Sequence, residues 1–193
     1  MEQPKGWRLE VEKQQRKAVA DSGILPAVGY FDRVDARGTE HRVRFRGRTV
    51  EKHQHSSGWI ATITDTGKIG LAYALPTEYL RRLDLQNKLF GDDLHVIGKT
   101  SGSRFATSQP TLKGGEPTSA EIRDVLTAAG WERVAMDQQE LPPPLMGSAW
   151  WHRGEDVVLL DARKPNFKKT DFGVLPIDLI LTDLTPEMRK ILC

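Results

Sequence analysis

Two short apolar runs near the C-terminus each end in an aspartate: Val157-Val158-Leu159-Leu160 leads into Asp161, and Val174-Leu175-Pro176-Ile177 leads into Asp178. Short apolar runs bounded by turn signals read as buried strands. Two such strands, each delivering a carboxylate at its end, restrict the fold to one in which rigid elements terminate at a polar site. Asn166 stands between them, five residues after Asp161 in Asp161-Ala-Arg-Lys-Pro-Asn166. Phosphoryl transfer to a hydroxyl uses such a set: a carboxylate near the attacking oxygen and two oxygen ligands for Mg²⁺ on the nucleotide phosphates. Asp161 reads as the base, with Asn166 and Asp178 as metal ligands. The competing reading is an ordinary strand-turn-strand with solvated acids. Asp-x-x-x-x-Asn alone would favour it, and the second strand-terminal Asp moves the balance.

The chain also contains the string Asp171-Phe172-Gly173, which in a protein kinase carries the metal-binding Asp. Here it follows Asn166 by only five residues, leaving no room for a strand pair between the two ligands. Lys168-Lys169-Thr170-Asp171 is a polar turn entry, and Gly173 suits a left-handed hairpin position. Asp171 therefore reads as a turn residue and Asp178 as the ligand.

At 193 residues the length fits one domain with a sizeable core. No apolar run approaches a membrane span and no signal-peptide pattern opens the chain. The single cysteine, Cys193, excludes disulfides and a cysteine-based zinc site within the monomer, so a cytoplasmic setting is expected. A net charge of +2 is too small to imply a polyanion partner. One basic stretch stands out, His41-Arg-Val-Arg-Phe-Arg-Gly-Arg48. Alternation puts Arg42, Arg44 and Arg46 on one strand face, with Val43 and Phe45 on the other. It reads as a half-buried strand with a solvated basic face ahead of a nucleic-acid surface, which usually interleaves aromatics. His53-Gln-His55 places two imidazoles on one strand face without a third ligand, and a polar strand end accounts for them.

Helical spacing predicts a polar surface helix over residues 7–20. Short strands follow from Val28 to His53, broken at Asp35–Gly38 and Arg46-Gly47. Trp59–Thr64 and Lys68–Leu75 flank a hairpin at Asp65-Thr66-Gly67. Pro76-Thr77 opens a helix carrying Leu80, Leu83, Asn87 and Phe90, stopped by Gly91. Leu94–Lys99 and Arg104–Gln109 read as strands. After a Gly-rich connector, Thr118-Ser-Ala-Glu121 is a capping box for a helix ending at Gly130. Residues 138–147 are a proline-rich loop, and a short helix starts at Thr185-Pro186. No repeat or low-complexity segment is present.

This order resembles a kinase N-lobe, its hinge and the start of a C-lobe. The chain carries, in order, Gly38-Thr-Glu-His41, Val50-Glu-Lys52, Glu78-Tyr-Leu-Arg-Arg-Leu83, Asn87-Lys-Leu-Phe-Gly-Asp-Asp93, Thr107-Ser-Gln-Pro110, Asp161-Ala-Arg-Lys-Pro-Asn166 and Pro176-Ile-Asp178. By these strings, over roughly residues 30 to 182, it resembles the serine/threonine/tyrosine kinase-like domain found in polyvalent proteins of bacterial mobile elements. The Asp-x-x-x-x-Asn…Ile-Asp portion is also similar to aminoglycoside phosphotransferases, whose metal Asp likewise lacks an Asp-Phe-Gly context. The resemblance implies an α+β, minimal protein-kinase-like fold: a helical extension over 1–27, an antiparallel N-lobe with one main helix over 28–109, and a hinge with a truncated C-lobe over 110–193. It implies ATP and Mg²⁺ as cofactors, with Lys52 holding the α- and β-phosphates, Glu78 pairing with Lys52, and Gln109 meeting the adenine through its backbone. By position alone Lys52 would be a solvated strand end. Glu78 has Arg81 and Arg82 as local partners at helical spacing.

The departures from kinases are a single glycine, Gly38, in place of a glycine-rich loop, Leu159-Leu160 before the base, and only fifteen residues after Asp178. An activation segment and peptide-binding helices do not fit in that length. The expected function is an ATP- and Mg²⁺-dependent phosphotransferase acting on an unidentified hydroxyl acceptor, protein or small molecule, with no membrane partner. The alternatives are a nucleotide-binding pseudokinase and a nucleic-acid-binding module using the Arg42–Arg48 strand.

Overall fold

Turn chemistry and side-chain alternation divide this chain into many short strands and few helices. The computed structural model, which describes residues 7–21, 23–29, 34–100 and 102–193, has that α+β composition with antiparallel ladders. The elements are α1 (Trp7–Asp21), β1 (Ala36–Arg37), β2 (His41–Arg46), β3 (Thr49–Gln54), β4 (Trp59–Ile63), β5 (Ile69–Tyr73), α2 (Pro76–Phe90), β6 (His95–Thr100) and β7 (Arg104–Pro110). They continue with α3 (Ser119–Ala128), β8 (Glu132–Arg133), β9 (Trp150–His152), β10 (Val157–Leu160), β11 (Phe167–Thr170), β12 (Gly173–Pro176), β13 (Ile180–Asp183) and α4 (Pro186–Leu192). No helix among the described residues is long and apolar enough to cross a membrane.

Two compact units emerge. The first comprises residues 1–58, 73–81 and 93–111, the second 59–72, 82–92 and 112–193. The expected division has boundaries after residues 27 and 109. The observed division instead assigns the β4–β5 segment to the second unit and splits α2, whose first turns belong to the first unit.

The first unit is a five-stranded sheet in the order β1-β2-β3-β7-β6. The predicted break at Asp35–Gly38 holds β1 instead, paired with β2. The reversal falls at Gly38, whose N–H donates to the His41 carbonyl at 2.9 Å. The predicted strand onset at Val28 survives as one bridge, Ala27 to Lys99, and its continuation through 30–33 lies outside the described residues. The sheet is sealed by Tyr79 in the first turns of α2. Its ring stacks on Phe105 at 5.8 Å between centroids, and its hydroxyl meets His41 Nε2 at 2.8 Å. Gly58 passes this ring so closely that a Cβ there would sit 3.0 Å from it, and its φ of +81° also demands glycine. Helix α1 has no buried residue and docks through polar contacts, Arg16 and Glu12 to Ser57 and Gln15 to Thr77.

The second unit is built on a four-stranded sheet in the order β13-β10-β9-β8. Strand β10 is central and fully buried, as its unbroken apolar run requires. One of its faces packs with Ile69, Trp151, Val158, Leu160 and Met188. The other packs Val157 and Leu159 against Leu85, Leu126, Trp131 and Phe167. The predicted capping box starts α3: the Thr118 hydroxyl accepts from the Glu121 N–H at 3.2 Å, and the Glu121 carboxylate accepts from the Thr118 N–H at 2.8 Å. In the Gly-rich connector, Gly115 exchanges backbone bonds with Lys169 on β11 at 3.1 and 2.9 Å. Gly114 must be glycine, because a Cβ there would lie 2.2 Å from the Lys169 carbonyl oxygen.

Candidate functional site

Strands β10 and β13 set the geometry. Their antiparallel register pairs Leu160 with Ile180, so the residues just beyond the ladder are Asp161 on one side and Leu179, then Asp178, on the other. Both carboxylates thus leave the sheet at the same end. Immediately after β10 the backbone turns sharply: Asp161 has φ +64°, a left-handed conformation costing a non-glycine residue roughly 1 kcal/mol or more and best tolerated by Asp and Asn. Strain of this kind persists where surrounding contacts hold it.

Those contacts come from the loop itself. The Asp161 carbonyl accepts from the Arg163 N–H at 2.8 Å and from Asn166 Nδ2 at 2.9 Å. The Asp161 carboxylate accepts from Arg163 Nε through Oδ1. A single 3₁₀ turn, Lys164–Asn166, closes the loop, with the Asn166 N–H on the Arg163 carbonyl at 2.9 Å. The Asn166 carbonyl in turn accepts from the Ile177 N–H at 2.8 Å. Asp161, Asn166 and the neighbour of Asp178 are therefore joined by two consecutive hydrogen bonds. With Nδ2 committed to Asp161, the side-chain oxygen of Asn166 takes no hydrogen bond from the described residues and is left as an acceptor. An amide oxygen and a carboxylate are the hard oxygen donors that suit Mg²⁺.

Between Asn166 and Asp178 lies the hairpin β11–β12, whose register pairs Thr170 with Gly173. Asp171 and Phe172 form its two-residue turn, both exposed, with Phe172 93% accessible. The Thr170 hydroxyl accepts from the Phe172 N–H at 3.1 Å, and Gly173 has φ +117°. The literal Asp-Phe-Gly is thus a hairpin tip, as its spacing indicates.

Asp178 has a companion that sequence reasoning missed. Arg82, only 3% exposed, donates from Nη2 to Asp178 Oδ1 at 2.9 Å and from Nε to the Leu179 carbonyl at 2.6 Å. A buried guanidinium must be paired, and this one fixes the direction of the Asp178 carboxylate. The only sequence signal was a second arginine on the apolar side of α2, where helix-surface pairing would have wanted it exposed.

In the first unit, Lys52 on β3 lies directly opposite Thr107 on β7, and Val50 opposite Gln109. Lys52, Thr107 and Gln109 consequently share one face of the sheet. Gln109 and Pro110 extend past the last β6 pairing, at Ser108. The expected Lys52–Glu78 ion pair gives way to a different one. Glu78 presents both oxygens to the Arg8 guanidinium, at 3.2 and 2.7 Å, and accepts from the Leu75 N–H at 2.7 Å. At the third position of α2 a carboxylate caps its own helix start, and α1 supplies the cation. Nor does Glu78 take Arg82, the local partner expected at helical spacing, since that arginine is turned inward to Asp178.

The basic face of β2 is partly neutralised. Arg44 lies opposite Glu51, which also pairs with Arg46 at 3.3 Å, and Arg42 lies opposite buried His53. On the other face Phe45 is 53% exposed, so alternation has not produced the covered apolar face that it suggests. Burial pushes the His53 imidazole pKa down, against the pull of Glu51. His55 Nε2 meets the Gly38 carbonyl at 3.0 Å, a polar strand end.

No family model matches the chain, and no curated protein or solved structure is significantly similar to it.

Proposed function

We propose that this chain is a kinase-like phosphotransferase that uses ATP and Mg²⁺ to phosphorylate a hydroxyl acceptor, with the minimal kinase-like architecture the sequence resembles. The observation that carries the reading is the braced loop: a left-handed Asp161 locked by Asn166 Nδ2 and Arg163, and tied through Asn166 to Ile177 beside Asp178. Asp93 and Asp156 are also left-handed, and what distinguishes Asp161 is that its loop is tied to the segment carrying the second carboxylate. Such positioning suits phosphoryl transfer, which is achieved by placement and charge neutralisation more than by covalent chemistry.

In this reading Asp161 accepts the acceptor's hydroxyl proton and aligns its oxygen. Arg163, bonded to Asp161, holds that carboxylate in place. Asn166 Oδ1 and the Asp178 carboxylate are the oxygen ligands for Mg²⁺, which when bound neutralises charge on the nucleotide phosphates. Arg82 keeps Asp178 oriented. Lys52 and Gln109, on one face of the first unit's sheet, keep the nucleotide-binding roles that the resemblance implies, while Glu78 has a structural role at the start of α2.

Thermal-shift titration with ATP tests this reading. Stabilisation by ATP should require Mg²⁺ and be lost in Asn166→Ala, a residue whose backbone bonds survive the change. At ligand near 100 times Kd the gain is about 2.7 kcal/mol. Equal stabilisation with and without Mg²⁺, or none at millimolar ATP, would contradict it.

A further inference from the structure

The second unit contains a cleft of about 520 Å³ that shares only Arg163 with the catalytic reading. That volume lies within the range of small-molecule sites. Ala162, Arg163, Lys164 and Pro165, the residues directly after Asp161, form one wall, and the first residues of α3 form another. Four cationic side chains line it, Arg123, Arg133, Arg163 and Lys164, against one carboxylate, Glu116.

Two of these four cations, Arg163 and Arg123, are paired with carboxylates, Asp161 and Asp124, while Lys164 and Arg133 meet no acid among the described residues. Arg133 spends Nε and Nη2 on the neutral carbonyl of Gly147, at 3.2 and 2.8 Å, which fixes its guanidinium without neutralising it. Among the described residues Arg123 pairs with its exposed neighbour Asp124. Ser119 and Ala120 open α3 and line the cleft, and the Thr118 cap occupies the N–H of Glu121, leaving theirs without an intrahelical acceptor. Fixed guanidinium groups, a lysine and helix N-terminal amides converging on one concavity make an environment for an oxyanion. Trp150, buried to 6% exposure, gives the cleft an apolar floor suited to a carbon skeleton.

We infer that this cleft binds the oxyanion group, phosphate or carboxylate, of a small hydroxylated acid, and that this molecule is the phosphoryl acceptor. The acceptor role rests on the phosphotransferase reading; the anion site does not. Arg163 links the two, since it lines the cleft and bonds the Asp161 carboxylate.

The test is an amide-detected NMR titration of the full chain with inorganic phosphate, glycerol 3-phosphate, glycerate and uncharged glycerol, at matched ionic strength. The three anions should shift the Ser119, Ala120 and Gly147 amides and the Trp150 indole saturably, and glycerol should not. Comparison of glycerol 3-phosphate with glycerate identifies which oxyanion the cleft prefers. The double variant Arg123→Ala/Lys164→Ala alters two exposed side chains, so the fold should be kept. It should weaken anion binding by roughly tenfold or more, in keeping with the loss of charge-assisted contacts. Its Mg²⁺-dependent stabilisation by ATP should be unchanged. Shifts spread over other basic surfaces, or unchanged anion affinity in the double variant, would overturn the site while leaving the phosphotransferase reading intact. Localised anion binding in a protein that shows no Mg²⁺-dependent ATP binding would instead overturn the acceptor role and that reading together.

Discussion

Asp178 carries two demands at once, as a ligand candidate open to solvent and as the counter-ion of buried Arg82. Removing its charge and its oxygens together would leave the guanidinium with the Leu179 carbonyl but without this carboxylate. Asp178→Ala should therefore lower unfolding stability by about 2 kcal/mol, below the figure for a fully buried ion pair because the carboxylate is partly solvated. Asp178→Asn, which still offers an oxygen to Arg82, should cost about 1 kcal/mol. Urea denaturation of both variants checks the ordering, and equal losses would mean that Arg82 does not depend on this carboxylate. The asparagine variant is thus the one to use for ligand binding. It should lose Mg²⁺-dependent stabilisation by ATP, whereas Asp171→Asn, at the exposed hairpin tip, should bind as the unaltered protein does. Loss of the metal in Asp171→Asn would mean that the literal Asp-Phe-Gly is the ligand after all. The two aspartates could be told apart in the sequence because an apolar run precedes only Asp178. Arg82 could not be read there, because its partner lies 96 residues away and nothing local marks an inward arginine.

At the scale of elements, local chemistry was legible and docking was not. The start of α3 at its capping box, the end of α2 at Gly91 and the β11–β12 turn each depend on residues within a few positions, so short-range rules reach them. The attachment of α1 depends on Arg8 finding Glu78 and Arg16 finding Ser57, contacts between segments far apart in the chain. Glu78 was expected to face Lys52 because order in the chain matched; the α1 cation, unreadable as a partner, took it instead. The start of α3 supplies a pH test. Hydrogen bonds from Lys169, then from the Thr118 backbone and hydroxyl, hold the Glu121 carboxyl at about 2, below its ordinary 4.5. A folded-state value below the unfolded one means that the contribution is complete above about 4.5 and is lost as pH falls from there toward about 2. Amide exchange in the first turn of α3 should accordingly accelerate over that window, and Glu121→Gln should flatten the dependence. An unchanged pH profile in Glu121→Gln would assign the acid sensitivity to other carboxylates.

For the whole molecule, the mixture of helices and short strands was legible from alternation and turn spacing, and the α+β class was what the resemblance implied. The unit that β4–β5 and the second part of α2 belong to was not legible, because these segments join residues that are distant in sequence. Within the second unit, the register of β10 with β13 carries Asp161 and Asp178 to one sheet end, and the loop bonds add Asn166. The central claim is that this constellation transfers phosphate and does not merely bind nucleotide. Asp161 is the residue that separates those possibilities, because a base orients the acceptor and contributes little to holding ATP. Asp161→Asn is the suitable variant, since Asn accepts the left-handed backbone at this position. The measurement is γ-phosphate release or transfer from radiolabelled ATP, comparing the unaltered protein with Asp161→Asn in the presence of small hydroxylated acids. The expected result is transfer by the unaltered protein and a loss of roughly 10²–10⁴-fold in the variant, with ATP–Mg²⁺ binding kept. Equal, background-level signal from both proteins alongside clear ATP binding would contradict the claim and leave a nucleotide-binding pseudokinase.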